Sequence, residues 1–258
     1  MLTAYDEPSA RIASDAGVDI VLIGDSVANN VLGYDDTLQV DLGDIAHHVG
    51  AVSRARPRSL IVGDMPWMSY HLSVDEAVRN ASILIRAGAH AVKLEGGHSR
   101  VPVIKAIIDA EIPVMGHLGL TPQSVLAMGG YRVQAKNLDS ATRLIDSARE
   151  LSNAGCFAIV LEGIPSLVAQ AVTAAIDIPT IGIGAGAGCD GQVLVFHDVL
   201  GLGNRTPPKF VRQYADLAKV AREALGRFAD DVRSGRFPNE DESYQGAEDL
   251  SHLLDETI

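Results

Sequence analysis

The sequence predicts a single (β/α)8 TIM barrel, and three observations carry that expectation. Eight short apolar runs with strand character alternate, for the most part, with helical segments along 258 residues, the unit count and length of one such barrel. Runs such as 19–24 and 157–161 are almost wholly apolar, as strands covered by helices on both sheet faces must be. Nearly every polar residue at a strand boundary lies at the C-terminal end, where barrels build their sites. An open doubly wound sheet is the alternative architecture. The barrel is assigned to residues 1–236 and an acidic tail to 237–258, with no domain break between.

The elements follow in chain order. A strand at 2–5 precedes a helix at 7–16, stopped by Gly17. Strand 19–24 ends in Asp25-Ser26, and a loop covers 27–40. Asp41 or Asp44 caps a helix reaching residue 56, with Pro57 just beyond. Strand 59–63 ends in Asp64. Ser73 and Glu76 make a capping box for a helix to Arg86, closed by Gly88. Strand 89–94 runs into Glu95 and two glycines, and a helix occupies 100–111. Strand 113–116 leads into His117, and the loop 121–137 is of a length usually reserved for function. Asp139 caps a helix ending at Ala154-Gly155. Strand 157–161 ends in Glu162, a helix follows at 166–176, and strand 179–183 enters the glycine run 184–188. An eighth strand, 192–196, ends in His197-Asp198, and a long helix spans 209–234.

Composition narrows the function classes. Hydrophobic residues make up 47% of the chain, ample for one large core, and the net charge of −12 without a Lys/Arg cluster argues against a nucleic-acid partner. Two cysteines, Cys156 and Cys189, make neither a metal motif nor a disulfide framework and read as reduced thiols. No apolar run approaches a membrane span, and the N-terminus lacks the features of a signal peptide, so a cytoplasmic location is expected.

The strand ends carry the chemistry: Asp25-Ser26, Asp64, Lys93 and Glu95, His117, Glu162, and His197-Asp198. Lys93 and Glu95 are two apart on one strand and therefore share a face. For that strand alone, an ion pair at the sheet rim is an equal explanation. One strand-end Asp is usually a helix cap, but so many charged strand ends predict a convergent site. Asp25, Asp64 and Glu95 offer oxygen ligands only, which favours Mg²⁺ over Zn²⁺. Glu162, after five apolar residues, is placed as a general base, the alternative being a cap for the helix at 166. His117 is a candidate for substrate oxygen or a hydrogen-bonded structural His. The 184–188 glycines match a dinucleotide fingerprint poorly and suit a tight bend or close backbone approach. Trp67, Met68 and Tyr70 read as packing or a pocket wall.

Together these runs resemble the ketopantoate hydroxymethyltransferase family. The resemblance rests on Val21-Leu-Ile-Gly-Asp-Ser26, Gly63-Asp-Met-Pro66, Val92-Lys-Leu-Glu-Gly-Gly97, Gly116-His-Leu-Gly-Leu-Thr-Pro-Gln-Ser124, Gly129-Gly-Tyr-Arg-Val-Gln134 and Ile181-Gly-Ile-Gly-Ala-Gly186 with Cys189-Asp-Gly-Gln192. It is collinear to about residue 238. It implies a barrel enzyme of pantothenate biosynthesis that moves a one-carbon unit from 5,10-methylenetetrahydrofolate to 3-methyl-2-oxobutanoate, giving 2-dehydropantoate, with Mg²⁺ and usually as a homodecamer. It further implies Asp25 and Asp64 at the metal with Glu95 near or bound to it, Ser26 and Lys93 on the keto acid, Glu162 as base, and His117 in the pocket. A family N-terminal helix is expected to be absent here, and 134–136 and 237–244 depart from the usual pattern. Arg132 and Lys136 are the candidate contacts for an anionic folate tail.

Three rival functions follow from the same residues. One is a Mg²⁺-dependent lyase or mutase acting on 2-oxo acids. Another is an aldolase with Lys93 as Schiff-base nucleophile, disfavoured because a neighbouring anion keeps a lysine protonated. The last is a binding or scaffold protein built around the glycine run.

Overall fold

A computed structural model describes residues 1–203, 206–244 and 246. Eight parallel strands lie side by side in sequence order: β1 Leu2–Thr3, β2 Ile20–Ile23, β3 Leu60–Asp64, β4 Ala91–Glu95, β5 Val114–Gly119, β6 Ala158–Glu162, β7 Thr180–Ile183 and β8 Gly191–Gln192. The sheet curls until Leu2 meets Leu194 in a parallel bridge, and the Thr3 N–H donates to the Leu194 carbonyl at 3.1 Å. The expected barrel is therefore the fold, with helices wrapped outside it.

Those helices are α1 Glu7–Asp15, α2 Leu42–Arg54, α3 Val74–Ala87, α4 Val101–Asp109, α5 Val125–Met128, α6 Leu138–Asn153, α7 Ser166–Ala175, α8 Phe196–Leu200 and α9 Leu217–Arg233. Local chemistry explains several of their boundaries. Asp41 caps α2, and Asp44 returns the bond to the cap's N–H, so both candidate caps take part. Ser73 accepts from the Glu76 N–H at the start of α3, and Gly88 closes it in the left-handed conformation.

Several boundaries differ from expectation: β1 ends at Thr3 rather than 5, β5 runs on to Gly119 so that His117 lies within it, and α4 is shorter at both ends; three further differences have a local cause. Asn137, not Asp139, caps α6, because Asn137 and Ser140 satisfy each other's backbone N–H groups first. The eighth strand stops at Gln192 rather than 196, since Val195 already caps α8 and the Phe196 N–H is taken by Thr3 Oγ1 at 3.1 Å. Helix α9 starts at Leu217 rather than near 209, where Asp216 accepts from the Lys219 N–H. The preceding chain is drawn across α8 instead, through Tyr214 N–H to Val199 O, and the first turn of α9 is tied to the end of α8 through Ala218 N–H to Gly201 O. Of the expected tail, residues 245 and 247–258 lie outside the described residues; within it, Glu240–Glu242 form one 3-10 turn.

Strand alternation sorts the side chains. Val21, Ile23, Val92, Leu94, Val114, Ile159 and Leu161 face outward into the main core under the helices. Leu22, Val62, Ala91, Met115, Ala158, Val160, Ile181 and Val193 face inward and fill the barrel. On β3, β4, β5 and β6 the next inward position towards the C-terminal end is polar, and these positions form the floor of a cavity.

Candidate active site

The inward column of β3 runs Val62, Asp64; that of β4 runs Ala91, Lys93, Glu95; that of β5 runs Met115, His117; that of β6 runs Ala158, Val160, Glu162. Parallel register sets them beside one another: Asp64 pairs with Lys93, Glu95 with His117, and Gly119 with Glu162. Above them opens a cavity of about 890 Å³ lined by Asp25, Ser26, Asp64, Lys93, Glu95, His117 and Glu162, within the range of small-molecule sites. Asp25 reaches the same layer from the turn after β2, where its N–H donates to Asp64 Oδ2 at 3.2 Å.

One chain of charges crosses the barrel. Lys93 Nζ lies 2.7 Å from Asp64 Oδ1 and 4.0 Å from Glu95 Oε1. Nδ1 of His117 is 3.2 Å from Glu95 Oε1, and its Nε2 is 3.1 Å from Glu162 Oε2. The imidazole therefore spans two carboxylates, and Glu162 is committed to it rather than to a helix: α7 is capped by Pro165 without a side-chain bond. Gly119 makes this approach possible. Its φ is +95°, and a Cβ there would lie 2.2 Å from the Glu162 carbonyl oxygen. Ser26 Oγ is 2.7 Å from the Tyr5 hydroxyl.

Electrostatics follow from burial and from an excess of acid. Burial above all, then the charges of Asp64 and Glu95, push Asp25 well above the usual carboxylate range. Burial also raises Asp64, outweighing Lys93. For Glu95, burial is overcome by His117, Lys93 and the Gln123 N–H, and its pKa is lowered. Burial and Lys93 both work against a charged His117, yet the Glu162 and Glu95 carboxylates beside its two ring nitrogens bring it up to about 9. Lys93, buried but facing three carboxylates, is raised above its ordinary value. It remains a firmly charged ammonium in an ion pair, the opposite of what a Schiff-base nucleophile requires.

The donor set fits a hard divalent cation. Two cationic side chains, Lys93 and His117, face the four carboxyl groups of Asp25, Asp64, Glu95 and the more open Glu162, so oxygen donors outnumber the protein's own cations. Asp64 Oδ1 and Glu95 Oε1 are buried and make no hydrogen bond of good angle, although charged partners lie close by. Glu95 is engaged by His117, Lys93 and the Gln123 N–H at 3.0 Å, and Asp64 by Lys93 and the Asp25 N–H, so Asp25 is the freest oxygen donor and Asp64 would share its carboxylate between Lys93 and a cation. Among the described residues no three His, Cys, Asp or Glu side chains converge into a complete cage. Mg²⁺ commonly takes one or two carboxylates and completes its shell with water and substrate oxygens.

Other expectations resolve individually. Asp198 lines the cavity from α8, while His197 packs on the Tyr5 ring with centroids 5.7 Å apart. Arg132 lines the cavity; Lys136 is not in its lining. The glycine run bends against its own chain: Gly186 has φ +79° and lies so close to Ser166 that a Cβ would come within 2.4 Å. No helix is long and apolar enough to cross a membrane among the described residues. Tyr70 and Gln123, read from sequence as packing and as part of a motif, are buried hydrogen-bonding residues beside the site. The Gln-Ser after His-Leu-Gly-Leu-Thr-Pro was the only local signal for Gln123.

The chain is similar to known proteins. A family model described as ketopantoate hydroxymethyltransferase matches residues 1–240. The 3-methyl-2-oxobutanoate hydroxymethyltransferase 2 of Bradyrhizobium diazoefficiens is 54% identical over 254 residues, covering 98% of this chain and 87% of its own length. A 3-methyl-2-oxobutanoate hydroxymethyltransferase from Methylobacterium sp. is 53% identical over 255 residues, with 99% and 88% covered. Among solved structures, 2,3-dimethylmalate lyase, a PEP mutase/isocitrate lyase superfamily member, aligns with a TM-score of 0.59 at 17% identity over 99% of this chain and 87% of its own. Phosphonopyruvate hydrolase complexed with oxalate and Mg²⁺ aligns with a TM-score of 0.58 at 13% identity, over 99% and 89%. At such identity the structural likeness speaks for the barrel alone.

Proposed function

The chain belongs to the ketopantoate hydroxymethyltransferase family, and from that premise we propose how its residues carry a hydroxymethyl transfer to 3-methyl-2-oxobutanoate, giving 2-dehydropantoate. The observation that carries the reading is the layer of acid, base and ammonium groups on the cavity floor. A 2-oxo acid has a weakly acidic C3 proton, and removing it places negative charge on the ketone oxygen. Lys93 offers a fixed positive charge for that oxygen, pre-oriented by Asp64. Ser26, positioned by Tyr5, donates to the substrate carboxylate. Glu162 takes the C3 proton, and the charged His117, 3.1 Å from its Oε2, holds the carboxylate in place.

In this reading Asp25 and Asp64, with Glu95 beside them, would hold Mg²⁺, which when bound would supply Lewis-acid charge to the keto-acid oxygens. Water adds to the methylene carbon of 5,10-methylenetetrahydrofolate and both of its carbon–nitrogen bonds break, the two nitrogens taking the water protons as tetrahydrofolate leaves. The nucleophilic C3 attacks the one-carbon aldehyde so formed, and the proton taken by Glu162 returns to the aldehyde oxygen, which becomes the new hydroxyl. Arg132, at the cavity wall, is the candidate contact for the folate tail. A cytoplasmic decamer belongs to the same reading. The exposed apolar side chains of α9, among them Val220, Leu225 and Phe228, support burial between subunits, and light scattering after size exclusion tests it.

Proton NMR of 3-methyl-2-oxobutanoate in D₂O tests the first half of the reaction. Loss of the C3 proton with Mg²⁺ and not with EDTA, without folate, is the expected result. Exchange that is absent, or indifferent to EDTA, would overturn the proposed roles.

A further inference from the structure

We propose that Gln123, locked by Tyr70, is a positioning residue that orients the Asp25 carboxylate for a divalent cation without neutralising it. The inference rests on the metal reading above and extends it to two residues outside the reacting layer. Gln123 lies 98 residues from Asp25, at the start of the loop after β5, and is buried. Its Nε2 donates to Asp25 Oδ2 at 3.0 Å and to the Met65 carbonyl at 3.0 Å. Oε1 of the same amide accepts from the Tyr70 hydroxyl at 2.6 Å. Its backbone N–H donates to Glu95 Oε2.

The direction of every bond is fixed. The Glu95 N–H donates to the Tyr70 oxygen at 3.2 Å, so the single Tyr70 proton is free to go to the amide. Met65 O and a carboxylate only accept, so both amide protons face them. Four strand ends are thereby tied: the turn after β2 through Asp25, the segment after β3 through Met65 and Tyr70, β4 through Glu95, and the loop after β5 through Gln123.

The choice of a neutral amide is chemically specific. Asp25 stands beside Asp64 and Glu95, and like charges drive its carboxylate to rotate away. A lysine or arginine at 123 would hold it but would also cancel the charge a cation needs. Glutamine holds Oδ2 and leaves Oδ1 without a protein hydrogen bond among the described residues. Residues that orient a metal ligand in this way typically control metal affinity by about 10- to 100-fold.

The test is Mn²⁺ binding to the full chain without substrate, followed by the electron paramagnetic resonance signal of free Mn²⁺, with Mg²⁺ as competitor. Gln123→Met keeps the volume and loses both donors; it is expected to weaken Mn²⁺ binding about tenfold with an unchanged circular dichroism spectrum. Gln123→Lys is expected to abolish it. Saturating Mn²⁺ is expected to restore C3 exchange in Gln123→Met, a rescue that a merely structural role would not give. Should Gln123→Met not fold, Tyr70→Phe, which keeps the ring, carries the test with an expected weakening of about threefold, below that scale. Affinity within twofold of wild type in a folded Gln123→Met, or in Tyr70→Phe if it stands in, overturns the inference. No Mn²⁺ binding by the wild type overturns the metal reading and this inference with it.

Discussion

Two layers of the barrel interior lie on the same strands and differ in one respect. The lower layer is Leu22, Val62, Ala91, Met115, Ala158 and Val160; the upper is Asp64, Lys93, Glu95 and His117, with Asp25 alongside. Both are dry: Met115 is 0% exposed and Asp64 1%. The backbone alternation that fills one layer also fills the other. Burial therefore does not distinguish core from site here; only side-chain chemistry does. The lower layer gains stability from transfer of apolar surface. In the upper layer each charge is tolerable only through its partners, and Glu162 extends it to the open cavity.

The largest effect that could break this contrast is Lys93→Met in metal-free protein. Removing the one lysine among three carboxylates is expected to cost about 3–5 kcal/mol in urea unfolding, the usual scale for breaking a buried pair. A loss below about 1 kcal/mol would mean that the upper layer does not depend on pairing. In the lower layer, Met115→Ala is expected to cost about 3 kcal/mol through a cavity, while the folded fraction retains C3 exchange. Loss of exchange without loss of stability would show that the two layers are not separable.

Glu162→Gln sharpens the same contrast from the side of chemistry. Exchange at C3 is expected to fall about 10²-fold, and stability to change by about 1 kcal/mol or less, since Glu162 borders the open cavity. Exchange near the wild-type rate would move the base to another group.

The remaining expected effect is in pH. His117 sits at about 9 in the folded protein against an ordinary 6.5, so the folded state holds its proton more tightly. That contribution is complete below about pH 6.5 and disappears as pH rises through about 9, at roughly 1.4 kcal/mol per pH unit between. Asp25 and Asp64, raised above the usual carboxylate range, act with the same sign at lower pH. Urea unfolding in EDTA at pH 6.5 and 9 is expected to give the lower stability at pH 9. Equal or greater stability at pH 9 would mean that His117 is not held as a cation.

Alternation and capping explain why so much was legible. The apolar runs marked all eight strands, and the charged residues closing them marked the cavity floor, because a period of two is written in consecutive residues. Lys93 and Glu95 on one face needed nothing beyond that period. The eighth strand was overextended because Val193, Leu194 and Val195 are apolar, whereas Leu194 alone bridges to Leu2 and Val195 turns into α8. Helix α9 was extended too far towards 209 because its start depends on chain drawn across α8.

By itself, then, the sequence marked the eight strands and which charged side chains stand at their C-terminal ends, since each follows from local periodicity, and favoured a barrel over an open sheet; closure was decided by the bridge from Leu2 to Leu194. The tertiary structure alone decided their partners: His117 between Glu95 and Glu162, Asp64 with Lys93, and Gln123 on Asp25 across 98 residues of chain. Those pairings depend on strand register and on the direction of each hydrogen bond at the barrel mouth, and neither is encoded within any one segment.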